Sequence, residues 1–454
     1  MFSRYRGSKE IYKKIGVVAL PIVLQNVIDA AVNSVDVLML NSVGQSAISA
    51  VSLANSMIGI FFMFLYGIGT GIAMLAAQYY GKGDLKTIEK IEGIGLRFSL
   101  GIAVLGFLAS LIIPEYLMLI YTSDRELVAL GAKYLMFLAP GLIFWAVSAV
   151  YMSILRCIGK VTTSTILEAI ALICNVILNA VFIFGLLGAP KLGVVGVGLA
   201  TTISRFVQLV ACFVVSLSRP GVSLTFRTMF ERHKLLQKDF FSMSLPAIAN
   251  DLVWSLAFSV YSAIIGHMSS DAVAAYSIVN VIRNLGCIMC YGIGSASGIV
   301  VGHLLGANQR EEGIRVSHVL LRLAVITGIM GGVLVLLLMP FVLSHASLTD
   351  KALDYLKYMM IINSYYITGT AVNTCLIAGI FRAGGDSKFG FKCDTIDMWC
   401  YAVPLGLLAA FVFKLPVMVV YFLLCTDEFV KWPWVLKHFF SHKWANNITR
   451  DNTN

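Results

Sequence analysis

The amino-acid sequence predicts an all-α polytopic membrane protein, with twelve transmembrane helices in two six-helix lobes related by a parallel internal repeat. Composition is the first observation behind that prediction: 58% of the 454 residues are hydrophobic and only 13% are charged, and the mean hydropathy is +0.84. A water-soluble chain could not bury so much apolar surface. The second observation is that the chain matches itself, without a gap, at an offset of 225 residues. Pro21 pairs with Pro246, Ser34-Val35 with Ser259-Val260, Asn55 with Asn280, and Tyr66-Gly67-Ile68-Gly69 returns as Tyr291-Gly292-Ile293-Gly294. After a one-residue slip, Leu155-Arg156 and Gly159 meet Phe381-Arg382 and Gly385. The third is a series of apolar runs, each long enough for the roughly 20 residues that cross a bilayer core. Six runs per half put both halves in the same orientation, with their symmetry axis along the membrane normal. Many secondary transporters are built from two such halves, with the substrate between them.

The first run, near 15–40, carries Gln25, Asp29, Asn33 and Asp36. At 100° per residue these fall within about 80° of arc, one polar stripe on an otherwise apolar helix. Ionisable groups facing lipid are costly, so the stripe faces a cavity or a partner helix. Pro21 lies just below the stripe and is expected to kink the helix. The run is too long for a signal peptide and lacks a small-residue cleavage site. Runs near 48–78, 94–113 and 134–155 follow. The fifth, 164–187, places Glu168, Asn175 and Asn179 on one face, and the sixth, 193–217, does the same with Thr201, Arg205 and Gln208. By depth, Asp36, Asn179 and Thr201 are expected to converge in the outer half of the membrane. Asp29 and Arg205 lie near mid-depth, where a carboxylate and a guanidinium would neutralise each other as a structural ion pair.

A charged stretch opened by Pro220-Gly221 separates the halves. It divides the chain into an amino-terminal lobe (1–218), a cytoplasmic linker (219–240) and a carboxy-terminal lobe (241–454). The second set of runs falls near 242–266, 272–305, 319–342, 356–380, 391–413 and 415–437. Asp251 on the seventh helix, with Asn280 and Arg283 on the eighth, joins Gln25, Asp29 and Asn33 as candidate lining of a substrate cavity. The repeat partner of Asp36 is Tyr261. The outer-half carboxylate is kept in one lobe only, which points to ion binding in the amino-terminal lobe. Asp394 and Asp397 stand nearer the cytoplasmic boundary, as functional groups or as interfacial ones. Cys287 and Cys290, a Cys-x-x-Cys pair inside an apolar helix, read as core packing.

Of the 34 Lys and Arg, 26 fall on one side of the expected spans, Lys431 and the rest of the tail among them, and six on the other. By the positive-inside rule both termini face the cytoplasm of the cell membrane. The formal net charge of +10 then reflects topology and anionic lipid, not nucleic acid.

No His-Glu-x-x-His or Gly-x-Ser-x-Gly motif supports a membrane-embedded enzyme, and Gly294-Ser-Ala-Ser-Gly298 has alanine where a nucleophile would stand. A channel is disfavoured by the internal repeat.

Several motifs carry a family resemblance. They are Pro21 with Asp36, Gln78-Tyr79-Tyr80-Gly81-Lys82-Gly83-Asp84, Ile154-Leu155-Arg156 with Gly159, Asn179-Ala-Val-Phe182-Ile183-Phe184-Gly185, Gly198-Leu-Ala200-Thr201 and Phe381-Arg382-Ala383-Gly384-Gly385-Asp386. Together they resemble the multidrug and toxic compound extrusion (MATE) family, in its DinF-like and MepA-like bacterial branches. The resemblance spans essentially the whole chain. It implies an antiporter that exports organic, often cationic, compounds in exchange for an inward proton or sodium ion, with no cofactor and as a monomer. A lipid-linked oligosaccharide flippase of the same superfamily is the alternative, disfavoured by the acidic first helix. Carried over by position, the family's cation site implies Asp36, Asn175, Asn179 and Thr201, with sodium, if any metal, at Asp36. Many relatives have aspartate where this chain has Asn179, which tilts the expectation toward protons. Asp251 lies near, but out of register with, a glutamate that some branches carry on the seventh helix.

Overall fold

The structure, a computed structural model, describes residues 9–218, 223–224, 226–346 and 348–451, without the side chains of Asn33, Ser34, Asp36, Val37, Leu38 and Asn41. Among the described residues the chain is helical and the helices follow the apolar runs. In the first half they are α1 (Lys9–Asn41), α2 (Gln45–Lys82), α3 (Leu85–Ile112), α4 (Arg125–Cys157), α5 (Val161–Phe184) and α6 (Val194–Ser218). In the second half come α7 (Lys234–Met268), α8 (Ser270–Gly306) and α9 (Arg310–His345). Next is α10 (Asp350–Asn373), which continues without a break as a π-helix, Thr374–Phe381. The eleventh, α11 (Ser387–Val412), contains two more π-helical stretches, Thr395–Ala402 and Leu408–Val412. The twelfth, α12, is broken into Val417–Leu424, Asp427–Val430 and Trp432–Ser441. Among the described residues, ten of the twelve are long and apolar enough to cross a membrane. The other two are α10, whose first turns carry Asp350, Lys351, Asp354 and Lys357, and the broken α12. Pro433 sits at the start of the last α12 segment. Lacking an N–H, it cannot continue the helix from the residues before it.

Burial is distributed as in a protein solvated by lipid. Along α5, Ile166, Ile170, Ile173 and Ile177 are exposed while Glu168, Ala171, Asn175 and Asn179 are buried. Both sets follow helical spacing, so the apolar stripe faces outward and the polar stripe inward, the reverse of a water-soluble helix.

The chain forms two compact units, one comprising Leu24–Phe241 with the tail from Arg450, the other the residues up to Val23 with Ser242–Thr449. This division differs from the sequence-based one in two places. The beginning of α1 belongs with the carboxy-terminal unit, because Ile11, Ile15 and Ala19 are buried in one core with Ile293, Leu305, Leu320 and Phe381. The expected linker is in part an element of the amino-terminal unit: a 3₁₀ turn, Arg227–Phe230, packs on α3. There Arg97 donates to the carbonyls of Met229 and Glu231, and a Cβ on Gly93 would sit 2.5 Å from the Thr228 backbone.

The two arginine-glycine turns adopt one geometry. Gly159 and Gly385 have φ of 78° and 77°, a left-handed conformation that glycine takes without penalty. Lys160 N–H donates to Leu155 O at 2.8 Å and Asp386 N–H to Phe381 O at 2.9 Å. Each is the long bond of a Schellman cap, which satisfies carbonyls left open at a helix end. The ends of α2 and α8 are matched too, with Gly83 at φ 82° and its repeat partner Asn308 at φ 59°.

Candidate functional site

In the amino-terminal unit, α5 and α6 lie side by side and their inward faces meet in two polar layers. In the first, Asn179 Nδ2 donates to Asn175 Oδ1 at 3.1 Å, and Asn175 Nδ2 donates to Thr201 Oγ1 at 3.2 Å. The threonine hydroxyl donates in turn to Val197 O at 3.0 Å. Asn175 and Asn179 are 8% and 1% exposed, so this chain of amide and hydroxyl oxygens sits in protein rather than lipid. Three of the four residues expected at a cation site therefore come together. The fourth, Asp36, and the neighbouring Asn33 belong to the α1 backbone, but their side chains lie outside the described residues.

The second layer corrects an expectation. Arg205 does not pair with Asp29: its guanidinium donates to Glu168 Oε1 at 2.9 Å and to Gln208 Oε1 at 3.0 Å. Gln208 Nε2 closes the ring on Glu168 Oε2 at 2.7 Å. Both oxygens of the buried glutamate are thereby satisfied and its charge neutralised, an arrangement that a partly buried ion pair requires. Asp29 on α1 lies within electrostatic range of Glu168, Arg205 and Arg156, but no ion pair joins it to Arg205 among the described residues. Depth and face brought Asp29 and Arg205 to notice; the helix neighbour decided the partner, because α5 packs along α6 and presents Glu168 at the right turn. Gln25 and Asp29 are half-buried on α1.

In the carboxy-terminal unit, Asp251 accepts a hydrogen bond from Arg382 at 2.7 Å and Asn280 lies near Tyr276. The Arg283 guanidinium stacks 4.7 Å from the centre of the Phe258 ring. A small cavity of about 10 Å³ beside it is lined by Tyr261, Tyr276, Tyr366 and Tyr421, room for about one water. Asp394 and Asp397 are buried inside the protein, 5% and 0% exposed. Lys431 is not a tail charge but is buried among them. With Asp427 and Glu428 they form a cluster that the sequence reading missed. Its signal was available as Asp427-Glu428 and Lys431 inside a run expected to span the membrane. Cys287 and Cys290 are buried and free, as packing implies.

The MatE family model matches the chain twice, over residues 21–181 and 246–408. The probable multidrug resistance protein YoeA of Bacillus subtilis is 25% identical over 432 residues, covering 92% of this chain and 91% of that protein. The multidrug resistance protein NorM of Vibrio vulnificus is 24% identical, covering 86% and 85%. A solved MATE structure in the straight conformation superposes with a TM-score of 0.86 at 19% identity, over 97% of this chain and 98% of that one. An outward-facing MATE transporter of the MOP superfamily gives 0.84 at 18%, over 96% and 99%. The two matched segments begin at Pro21 and Pro246, the residues with which the internal repeat begins, and together they span most of both lobes. The chain belongs to the MatE family, and is a membrane transporter of the multidrug and toxic compound extrusion type.

Proposed function

We propose that the protein is a secondary antiporter that exports organic compounds from the cell by alternating access, driven by protons entering through the amino-terminal lobe. The observation that carries this reading is the buried chain of Asn175, Asn179 and Thr201, at the positions where the family resemblance implies the coupling site. The names of the curated relatives support drugs as the exported class. Asp36 is the coupling group. When it takes up a proton, a negative charge inside the membrane disappears, the packing preference of α1 changes and a bound cationic compound is released. One charge moving down 100 mV supplies about 2.3 kcal/mol, or roughly fortyfold in concentration. Asn179 favours the proton over sodium, because a single carboxylate with amide and hydroxyl oxygens is a weak cage for a hard cation.

Dye efflux from proteoliposomes under separately imposed proton and sodium gradients tests the reading. The parent is expected to export under a proton gradient without sodium. Asp36→Asn is expected to insert and fold normally yet lose gradient-driven export. Full transport by that variant would refute the assignment, and export that requires sodium would refute proton coupling.

A further inference from the structure

The cluster around Lys431 is the most highly charged buried group among the described residues, and the amino-terminal unit contains its counterpart. Glu168 and Asp394 each lie seven residues into their helices, which start at Val161 and Ser387. Arg205 and Glu428 each lie eleven residues past the helix starts Val194 and Val417, and Gln208 and Lys431 each lie fourteen. The same three positions thus hold acid, base and amide in one lobe, and acid, acid and base in the other. In the first lobe the layer is neutral and its hydrogen bonds close on themselves. The second lobe adds Asp397 and Asp427, where counting from the same starts gives Ala171 and Ser204. It therefore buries four carboxylates against one ammonium.

Three of the four acids are anchored. Asp394 accepts from Lys431 at 3.0 Å and from Asn250 at 2.6 Å. Glu428 lies 3.2 Å from the Lys431 ammonium and also accepts from Asn373. Asp427 accepts from the Glu428 N–H at 2.8 Å and from Tyr261 at 3.1 Å. Asp397 is different. It is fully buried, its Oδ2 points at the Lys431 ammonium from 3.9 Å, and neither oxygen has a hydrogen-bond donor among the described residues. It stands in the π-helical stretch of α11, a backbone form that recurs at functional sites. Other groups face the cluster from every side: Tyr261 from α7, Tyr366 from α10, and the Cys393 and Cys425 thiols. Arg283 approaches Tyr366 and Cys425 from α8, while Arg382 is engaged by Asp251. None of these adds a full cation close to Asp397. Four carboxylates cannot all be ionised there, since like charges in low dielectric repel too strongly.

We propose that this cluster is a proton-binding site of the carboxy-terminal lobe, in which Asp397 takes up and releases a proton beside the Lys431 ammonium and Asp427. Tyr261 ties it to the repeat. That residue occupies the place of Asp36, and its hydroxyl holds Asp427. The carboxylate missing from the first helix of the second half is thus supplied from its last. Use of this proton in transport rests on the antiport reading above; the binding of the proton does not.

Infrared titration of the purified full chain in lipid nanodiscs, without sodium, is the test. The parent is expected to show a protonated-carboxyl stretch that disappears as pH rises. Asp397→Asn should remove one component of it, and Asp36→Asn should leave that component in place. Tyr261→Phe, which keeps the ring but removes the hydrogen bond to Asp427, should shift the midpoint of that same component and serves if Asp397→Asn does not fold. Identical titrations of the parent and both cluster variants would overturn the proposal. So would loss of the band on adding sodium chloride, but not choline chloride, at constant pH, which would make it a sodium site. Failure of the antiport reading would appear in dye efflux and leave these spectra unchanged.

Discussion

Single side chains decide whether a charge inside this membrane protein is structural or available for work. Glu168 and Arg205 are a closed pair, both carboxylate oxygens being occupied. Removing one partner strands the other, typically at a cost of about 3–5 kcal/mol, whereas removing both costs much less. In a double-mutant cycle of Glu168→Gln and Arg205→Gln, followed by thermal unfolding in detergent, each single variant is expected to be strongly destabilised and the double variant to recover a large part of the loss. Additive losses would mean the two do not interact. Asn179 is the opposite kind of residue, buried at the candidate coupling site as an amide instead of an acid. Asn179→Asp adds the carboxylate oxygens that hard cations prefer. Export measured against sodium concentration is expected to acquire a sodium dependence that the parent lacks. An unchanged profile would place the coupling site away from Asn179.

The helices show how far short-range sequence rules reach. Gly159 adopts a left-handed φ of 78°, and the nearest atom to a Cβ built there is the Tyr80 hydroxyl at 3.9 Å. Gly159→Ala therefore tests backbone strain alone, and is expected to lower stability by about 1–2 kcal/mol. At the equivalent cap of α8, Asn308 already carries that strain at φ 59°, so Asn308→Gly should raise the unfolding temperature slightly. Opposite signs for the two substitutions are the expected result of the thermal assay. α12 illustrates where such rules fail. Its apolar run promised one continuous span, but the helix breaks at Cys425-Thr426, resumes as Asp427–Val430, and breaks again at Lys431 before Trp432–Ser441. The interruption lies next to the buried acids it carries.

For the molecule as a whole, 26 of 34 basic residues lie on one side of the expected spans. Burying Lys431 in the carboxy-terminal unit removes one from that side and leaves the bias intact. Both termini are expected in the cytoplasm. A tag at the carboxy terminus should resist protease added to intact spheroplasts and be cleaved only after permeabilisation; cleavage in intact cells would reverse the orientation. The number of helices, their order and most of their ends were legible in the sequence, because a bilayer imposes a length and a polarity on every crossing. So was the inward stripe of α5 and α6, because helical spacing alone puts Asn175 and Asn179 on one face. What the sequence could not supply was the partner of each charge. Asp29 was the expected partner of Arg205, and only helix packing, which brings α5 beside α6, makes that partner Glu168. Asp397, Asp427, Glu428 and Lys431 come from two helices whose segments meet only in the folded unit, and a local pattern cannot report a contact made across the fold. Hydrophobicity sets which segments enter the membrane one at a time; electrostatic pairing inside it depends on distances between segments, and those exist only once the lobes have packed.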